Sequence, residues 1–265
     1  MRWFLTVWPA ALVLSFCNVE SIRAADEGQE TPAARQFQIR AREVTAQYVA
    51  KNQAGEALKR HEQPLLRWSN PVDGQQALGE VYLWTDQERP AAVLSLYELT
   101  RDSGGVVEHH EWALLGPRGV AFAGPARWEP KPGMTELNPI PGSAPPGESQ
   151  RARLGQMRRL AAAFAGQKTT RSGEVGTLRL LSQPLYQYEQ DGTAGGLFAF
   201  VEATDPELFL LLETNQSGWS YSAMRMSNVR LVLTHQGKAV WDAPQLTWSE
   251  AVGRSDLPYS AFRVR

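Results

Sequence analysis

Two stretches of the chain follow one plan. Residues 79–99 read GEVYLWTDQERPAAVLSLYEL, and residues 195–215 read GGLFAFVEATDPELFLLLETN. Aligned without a gap, Val81 meets Leu197, Tyr82 meets Phe198, Trp84 meets Phe200, Pro90 meets Pro206 and Leu94 meets Leu210. Each stretch holds two β-rich runs joined by a short polar loop with a proline, the signature of a hairpin. Side chains alternate along a strand, so Tyr82 with Trp84, and Phe198 with Phe200, share a face and belong in a core. The run LFLLL at 208–212 is apolar on both faces, so both faces of that sheet must be covered.

The correspondence extends beyond the hairpins. QPLLRW at 63–68 is echoed by QPLYQY at 183–188, and Asp73-Gly74 by Asp191-Gly192. Downstream, Gly119 matches Gly237, Pro125 matches Pro244 and Trp128 matches Trp248. Upstream, an amphipathic pattern from about Arg35 to Asn52 faces another at 154–166, with Val44 opposite Leu160 and Tyr48 opposite Phe164. Two copies are too few for a solenoid, so the order points to an internal duplication. The expected fold class is α+β: two tandem related units, each a helix packed on an antiparallel sheet of about five strands. Its topology is cystatin-like or nuclear-transport-factor-like, or that of an open β-cup.

The expected organisation has five parts. Residues 1–25 form a signal peptide: Arg2 is followed by an apolar run from Trp3 to Phe16 and then by small residues, with cleavage at Ala24 or Ala25 or retention as an anchor. Residues 26–34 form a flexible leader and 35–128 the first unit. Residues 129–149, rich in proline and glycine, read as a linker, and 150–265 as the second unit. The apolar start is shorter than the roughly 20 residues a membrane helix needs, so no span is expected after cleavage.

Composition narrows the chemistry. Cys17 is the only cysteine and lies in the signal segment, so the mature chain has no disulfide, thiolate zinc site or cysteine nucleophile. The 27 basic and 28 acidic residues nearly balance, which gives no electrostatic pull on nucleic acid.

Where the copies disagree, function is best sought. His109-His110-Glu111 has no equivalent in the matching strand WSYSAMRM. On a strand, His109 and Glu111 share one face at about 7 Å between Cα atoms, while His110 joins Trp112 and Leu114 on the other. His109 and Glu111 are thus candidate metal ligands, and all three are candidate catalytic groups. A catalytic metal usually takes three protein ligands, and His61 and His235 have no helpful spacing. Asp86 with Glu88, and Glu202 with Asp205, are loop carboxylates that in pairs can cleave glycosides. No G-x-S-x-G occurs, and no cofactor motif is present.

The run GEVYLWTDQERPAAVLSLYE, with EHHEWALL, PLYQYE and TDPELFLLLE, resembles a group of exported proteins of planctomycete bacteria. The resemblance covers most of the mature chain. It implies a secreted destination and supplies no catalytic residue. The expectation is an exported, non-enzymatic envelope protein that binds a ligand or protein partner. The alternatives are a metal- or carboxylate-dependent hydrolase built on His109 and Glu111, and a self-assembling envelope component.

Overall fold

The computed structural model describes residues 31–70, 76–100, 104–190, 192–215 and 218–264. The expected signal peptide, most of the leader, the Asp73-Gly74 turn and Asp191 lie outside the described residues. The compact unit treated below starts at Pro32.

The first half contains α1 (Pro32–Ala46), β1 (Val49–Asn52), β2 (Lys59–Arg60), β3 (Leu66–Asn70), β4 (Gln76–Asp86), β5 (Arg89–Thr100), β6 (Val106–Leu114) and β7 (Val120–Ala123). Then come β8 (Asn138–Pro139), α2 (Gln150–Ala162), β9 (Phe164–Thr169), β10 (Val175–Leu180), β11 (Tyr186–Gln190), β12 (Thr193–Glu202) and β13 (Asp205–Asn215). The chain continues through β14 (Gly218–Arg225), β15 (Arg230–His235), β16 (Lys238–Ala243), α3 (Trp248–Ala251) and β17 (Tyr259–Arg263).

One antiparallel sheet has six strands, in the order β17-β6-β5-β4-β2 with β3 also on β4. A second has nine, in the order β16-β15-β9-β10-β12-β13-β14-β8 with β11 also on β12. Strands β1 and β7 form a separate pair. The hairpins β4–β5 and β12–β13 carry a register shift at the same place, Trp84/Thr85 in one and Phe200/Val201 in the other.

Three clusters make up the core. Val81, Leu83, Val93 and Ala113 from the six-stranded sheet meet Leu197, Ala199, Phe209 and Leu211 from the nine-stranded sheet. This joins the two sheets face to face. The opposite face of the first sheet buries Tyr82, Trp84, Leu94 and Trp112 under Phe37 and Ala41 of α1, with Phe122 and Trp128. The opposite face of the second buries Phe198, Phe200, Leu208 and Leu210 under Met157 and Ala161 of α2, with Leu231 and Leu233 of β15. The apolar side chains on both faces of each hairpin are thus covered. Burying one such Leu or Phe contributes about 1.5–3 kcal/mol.

The sheets are also stitched reciprocally. The turn of β12–β13 reaches β3, where the Ser69 amide donates to Thr204 Oγ1 (3.1 Å) and that hydroxyl donates to the Ser69 carbonyl (2.6 Å). The turn of β4–β5 meets β11, where Tyr186 Oη donates to the Glu88 carbonyl (2.9 Å) and Gln190 Nε2 to Gln87 Oε1 (3.2 Å). Trp68 lies flat over Gly79, and Tyr188 over Gly195. A Cβ on either glycine would overlap the ring above it.

This architecture corrects the α+β expectation. The described residues are mostly β, with 51% of them in strands against 14% helical, in antiparallel sheets that include a half-barrel. It is not two helix-on-sheet units, so the cystatin-like, nuclear-transport-factor-like and open-cup readings fail with it. The physical reason lies in area. A helix of 13–15 residues is about 20 Å long and covers one stripe of a sheet. The rest of each apolar face is closed by strands. Helix α1 ends at Ala46 and the chain turns into β1; α2 ends at Ala162, and Phe164 begins β9 instead of prolonging the helix. Nor are the halves strictly tandem: β17, from the end of the second half, pairs with β6 of the first (Ala261↔Glu111). Strand β8, from within 129–149, pairs with β14.

Candidate functional site

The sandwich is not sealed at one end. Between the sheets lies a cavity of about 340 Å³, lined among others by Trp68, Tyr97, Glu111, Asp205, Glu207 and Met226. Strand alternation brings these groups together. On β5 and β6, Tyr97 and Glu111 point inward, as do Val93 and Ala113. On β13, Asp205 and Glu207 precede Phe209 and Leu211 on that strand's inner face.

Three carboxyl groups, one buried and two half-buried, therefore line one space. Glu111 Oε1 accepts hydrogen bonds from Tyr97 Oη (3.1 Å) and Tyr259 Oη (3.3 Å). Burial, aided by the charge of Glu207, nevertheless pushes the Glu111 carboxyl up to about 7, against these two hydrogen bonds and Arg225. Burial, with the charges of Glu207 and Glu111 added, pushes Asp205 up to about 8. Burial and Glu111 hold the Tyr97 and Tyr259 phenols well above the ordinary tyrosine value.

Among the described residues, Lys168 and Arg225 are the cations that act on the cluster. Lys168 Nζ donates to Glu207 Oε1 (3.0 Å) and also pairs with Glu202. Burial opposes the Lys168 charge, but Glu207 and Glu202 hold it above the usual lysine range. Burial lowers Arg225, whose guanidinium donates to the carbonyls of Ser227 and Pro244 (2.8 Å each) and of Val229, and lies 5.5 Å from the Tyr259 ring centre. Glu207 Oε2 is buried without a hydrogen-bond partner, and so is Ser227 Oγ on the same cavity wall.

The histidines of the 109–111 run part company here. His109 stacks on Tyr97 (centroids 5.0 Å, planes 10° apart), beside Glu111 and the cavity wall, with Trp248 at 6.1 Å. His110 lies on the other face, fully buried. Its Nδ1 is 2.6 Å from Tyr48 Oη and its Nε2 2.9 Å from Glu108 Oε1. With Nε2 protonated, the ring donates to Glu108 and accepts from Tyr48, so it ties β6 to the chain after α1, away from the cavity. Among the described residues no group of three or more His, Cys, Asp or Glu is arranged to hold a metal ion.

Of the loop acids singled out above, Asp205 belongs to the cavity. Glu202 stands beside it, paired across the hairpin with Asp205 and bound to Lys168, and Asp86 and Glu88 lie elsewhere. Asp86 is 3.3 Å from Arg118 and Glu88 3.2 Å from Lys59. Sequence reasoning missed Glu207, Tyr97, Tyr259 and Lys168. One signal was present for Glu207: two acids at alternate positions lead straight into an inward apolar face. Chemically, the cavity offers protons that move near neutral pH, fixed phenol donors and an aromatic wall.

Comparison with known proteins finds no matching family model, no matching curated protein and no matching solved structure.

Proposed function

We propose that this chain is a non-enzymatic ligand-binding protein of the exported class, with the cavity between the two sheets as its binding site. The observation that carries this reading is the placement of Glu111, Asp205 and Glu207 around an open cavity of about 340 Å³. A core built only for stability places apolar groups at such positions, because half-paired buried acids are costly. Here the cost falls on a cavity within the size range of small-molecule sites. Export rests on the charged-then-apolar start of the sequence and on the resemblance to exported planctomycete proteins. The matched register shifts and aromatic-over-glycine pairs support descent of the two hairpins from one duplicated segment. The test is native mass spectrometry of protein purified from its own cells. A retained small molecule that is lost in Glu111→Gln supports the reading; an empty wild-type protein speaks against it.

One observation favours a second reading, a carboxylate-dependent hydrolase. Glu111 near 7 and Asp205 near 8 titrate where a general acid or base works best. Turnover of aryl glycosides or esters, abolished by Glu111→Gln and by Asp205→Asn, would move the assignment to the enzyme.

A further inference from the structure

The two hairpins place different residues at equivalent positions, and the difference identifies a missing partner. Arg89 opens the second strand of one hairpin and Asp205 that of the other. Eight residues further along stand Tyr97 and Glu213 respectively. By the pairing registers, Ser95↔Glu111 in one sheet corresponds to Leu211↔Ser222 in the other. Ser222 therefore stands where Glu111 does, and Ala91 where Glu207 does.

At the Arg89 end the charges are closed. Arg89 Nε lies 2.7 Å from Glu213 Oε2 and Nη2 lies 2.8 Å from Oε1, a bidentate pair, and Tyr188 donates to the same carboxylate. The space left there is about 100 Å³. At the Asp205 end the guanidinium is absent, three acids face about 340 Å³, and Glu207 Oε2 stays unpartnered in a residue only 6% exposed. Lys168 is engaged by Glu207 Oε1 and Glu202, and Nε, Nη1 and Nη2 of Arg225 each donate to a carbonyl group. Trp68 and Tyr97, with ring centres 5.5 Å apart, add an aromatic wall of the kind that attracts cations.

We propose that the cavity binds a small organic cation, a guanidinium or primary ammonium group on a short chain, whose charge is set against Glu111, Asp205 and Glu207 as Arg89 is set against Glu213 at the opposite end. The inference rests on the ligand-binding reading above and names its ligand class. Binding a cation holds the acids ionised, so it releases protons and strengthens as pH rises. The titratable and charged groups beside the acids are Tyr97, Tyr259, Lys168, Glu202 and Arg225, with the His109 imidazole stacked on Tyr97.

The probe is agmatine, with uncharged N-butylurea as its control, titrated calorimetrically into the full chain at pH 6 and pH 8 in two buffers of different ionisation heat. The expected result is binding of agmatine at least tenfold tighter at pH 8 than at pH 6, with net proton release and at least tenfold weaker binding of butylurea. Asp205→Asn and Glu111→Gln each weaken agmatine at least tenfold, while the exposed-site variant Glu129→Gln leaves it unchanged. Acetyl-arginine amide separates a peptide side chain from a free amine as the source. Tighter binding than agmatine assigns the peptide and weaker binding the free amine, and either upholds the cation. If butylurea or a neutral sugar binds in a Glu111-dependent way and agmatine does not, the cation is overturned and the ligand site stands. Agmatine binding that ignores both acid variants overturns the cation site as well. No binding by any charged or neutral probe overturns both readings.

Discussion

Replacing Asp205 by Asn should stabilise the protein, and by an amount that depends on pH. Burial, with Glu207 and Glu111 nearby, raises the folded-state value of Asp205 from 3.8 to about 8. In the unfolded chain the carboxyl loses its proton near 3.8, while in the folded protein it keeps it until about 8. Over that window the folded state binds the extra proton, so stability falls as pH rises. At about 1.4 kcal/mol per pH unit, the charge costs the fold on the order of 5 kcal/mol above pH 8. Water in the cavity and the shared repulsion with Glu111 reduce this, and about 3 kcal/mol is the figure to test. At pH 5 the same relation gives roughly 1–2 kcal/mol, which the buried amide of the new Asn largely offsets. For a domain of this size 1 kcal/mol moves Tm by about 2–4 °C. Differential scanning calorimetry should therefore show Asp205→Asn melting roughly 6–12 °C above wild type at pH 8.5 and within about 3 °C of it at pH 5. Equal effects at the two pH values, or a variant less stable at pH 8.5, would refute the reasoning that the carboxyl is held dehydrated.

Other consequences can be checked independently. Tyr97→Phe removes one of the two hydrogen bonds that stabilise the Glu111 carboxylate, so Glu111 should titrate above its value of about 7 in carboxyl-detected NMR; a lower or unmoved value contradicts the assigned geometry. His110→Leu takes the imidazole from between Tyr48 and Glu108, and urea denaturation should show a loss of about 2–4 kcal/mol, with the pH dependence contributed by Asp205 unchanged. Gly195→Ala drives a methyl group into Tyr188 and should destabilise by about 1–3 kcal/mol, against less than about 0.5 kcal/mol for Gly105→Ala, where a Cβ meets nothing.

The hairpins were legible in the sequence because alternation and a tight polar turn are local signals. Their partners were not. Patterns such as LFLLL say that both faces are covered without saying by what, and here the covers are the other sheet on one side and short helices with further strands on the other. The amphipathic runs ending at Asn52 and Gly166 looked helical throughout, because Tyr48 and Phe164 bury equally well as the last turn of a helix or the start of a strand. The site divides in the same way. The shared face of His109 and Glu111 follows from strand period. What surrounds Glu111, its burial and its neighbours Tyr97, Tyr259 and Glu207, comes from three other strands, the furthest 148 residues away. Asp205 was visible only as a loop acid, because nothing in a hairpin's own sequence says that its turn will be pressed against a second sheet.

The pairing of β17 with β6 has a consequence for the order of events during folding. The strand that borders Glu111, and the Tyr259 hydroxyl that reaches it, come from a stretch of chain 148 residues further along. Contacts this distant in sequence form late and slowly. Until residues 259–263 have docked, the six-stranded sheet has an open edge and the cavity lacks one of its two phenol donors. Completion of the Glu111 side of the cavity would then be a late step of folding, set by the docking of a strand distant in sequence.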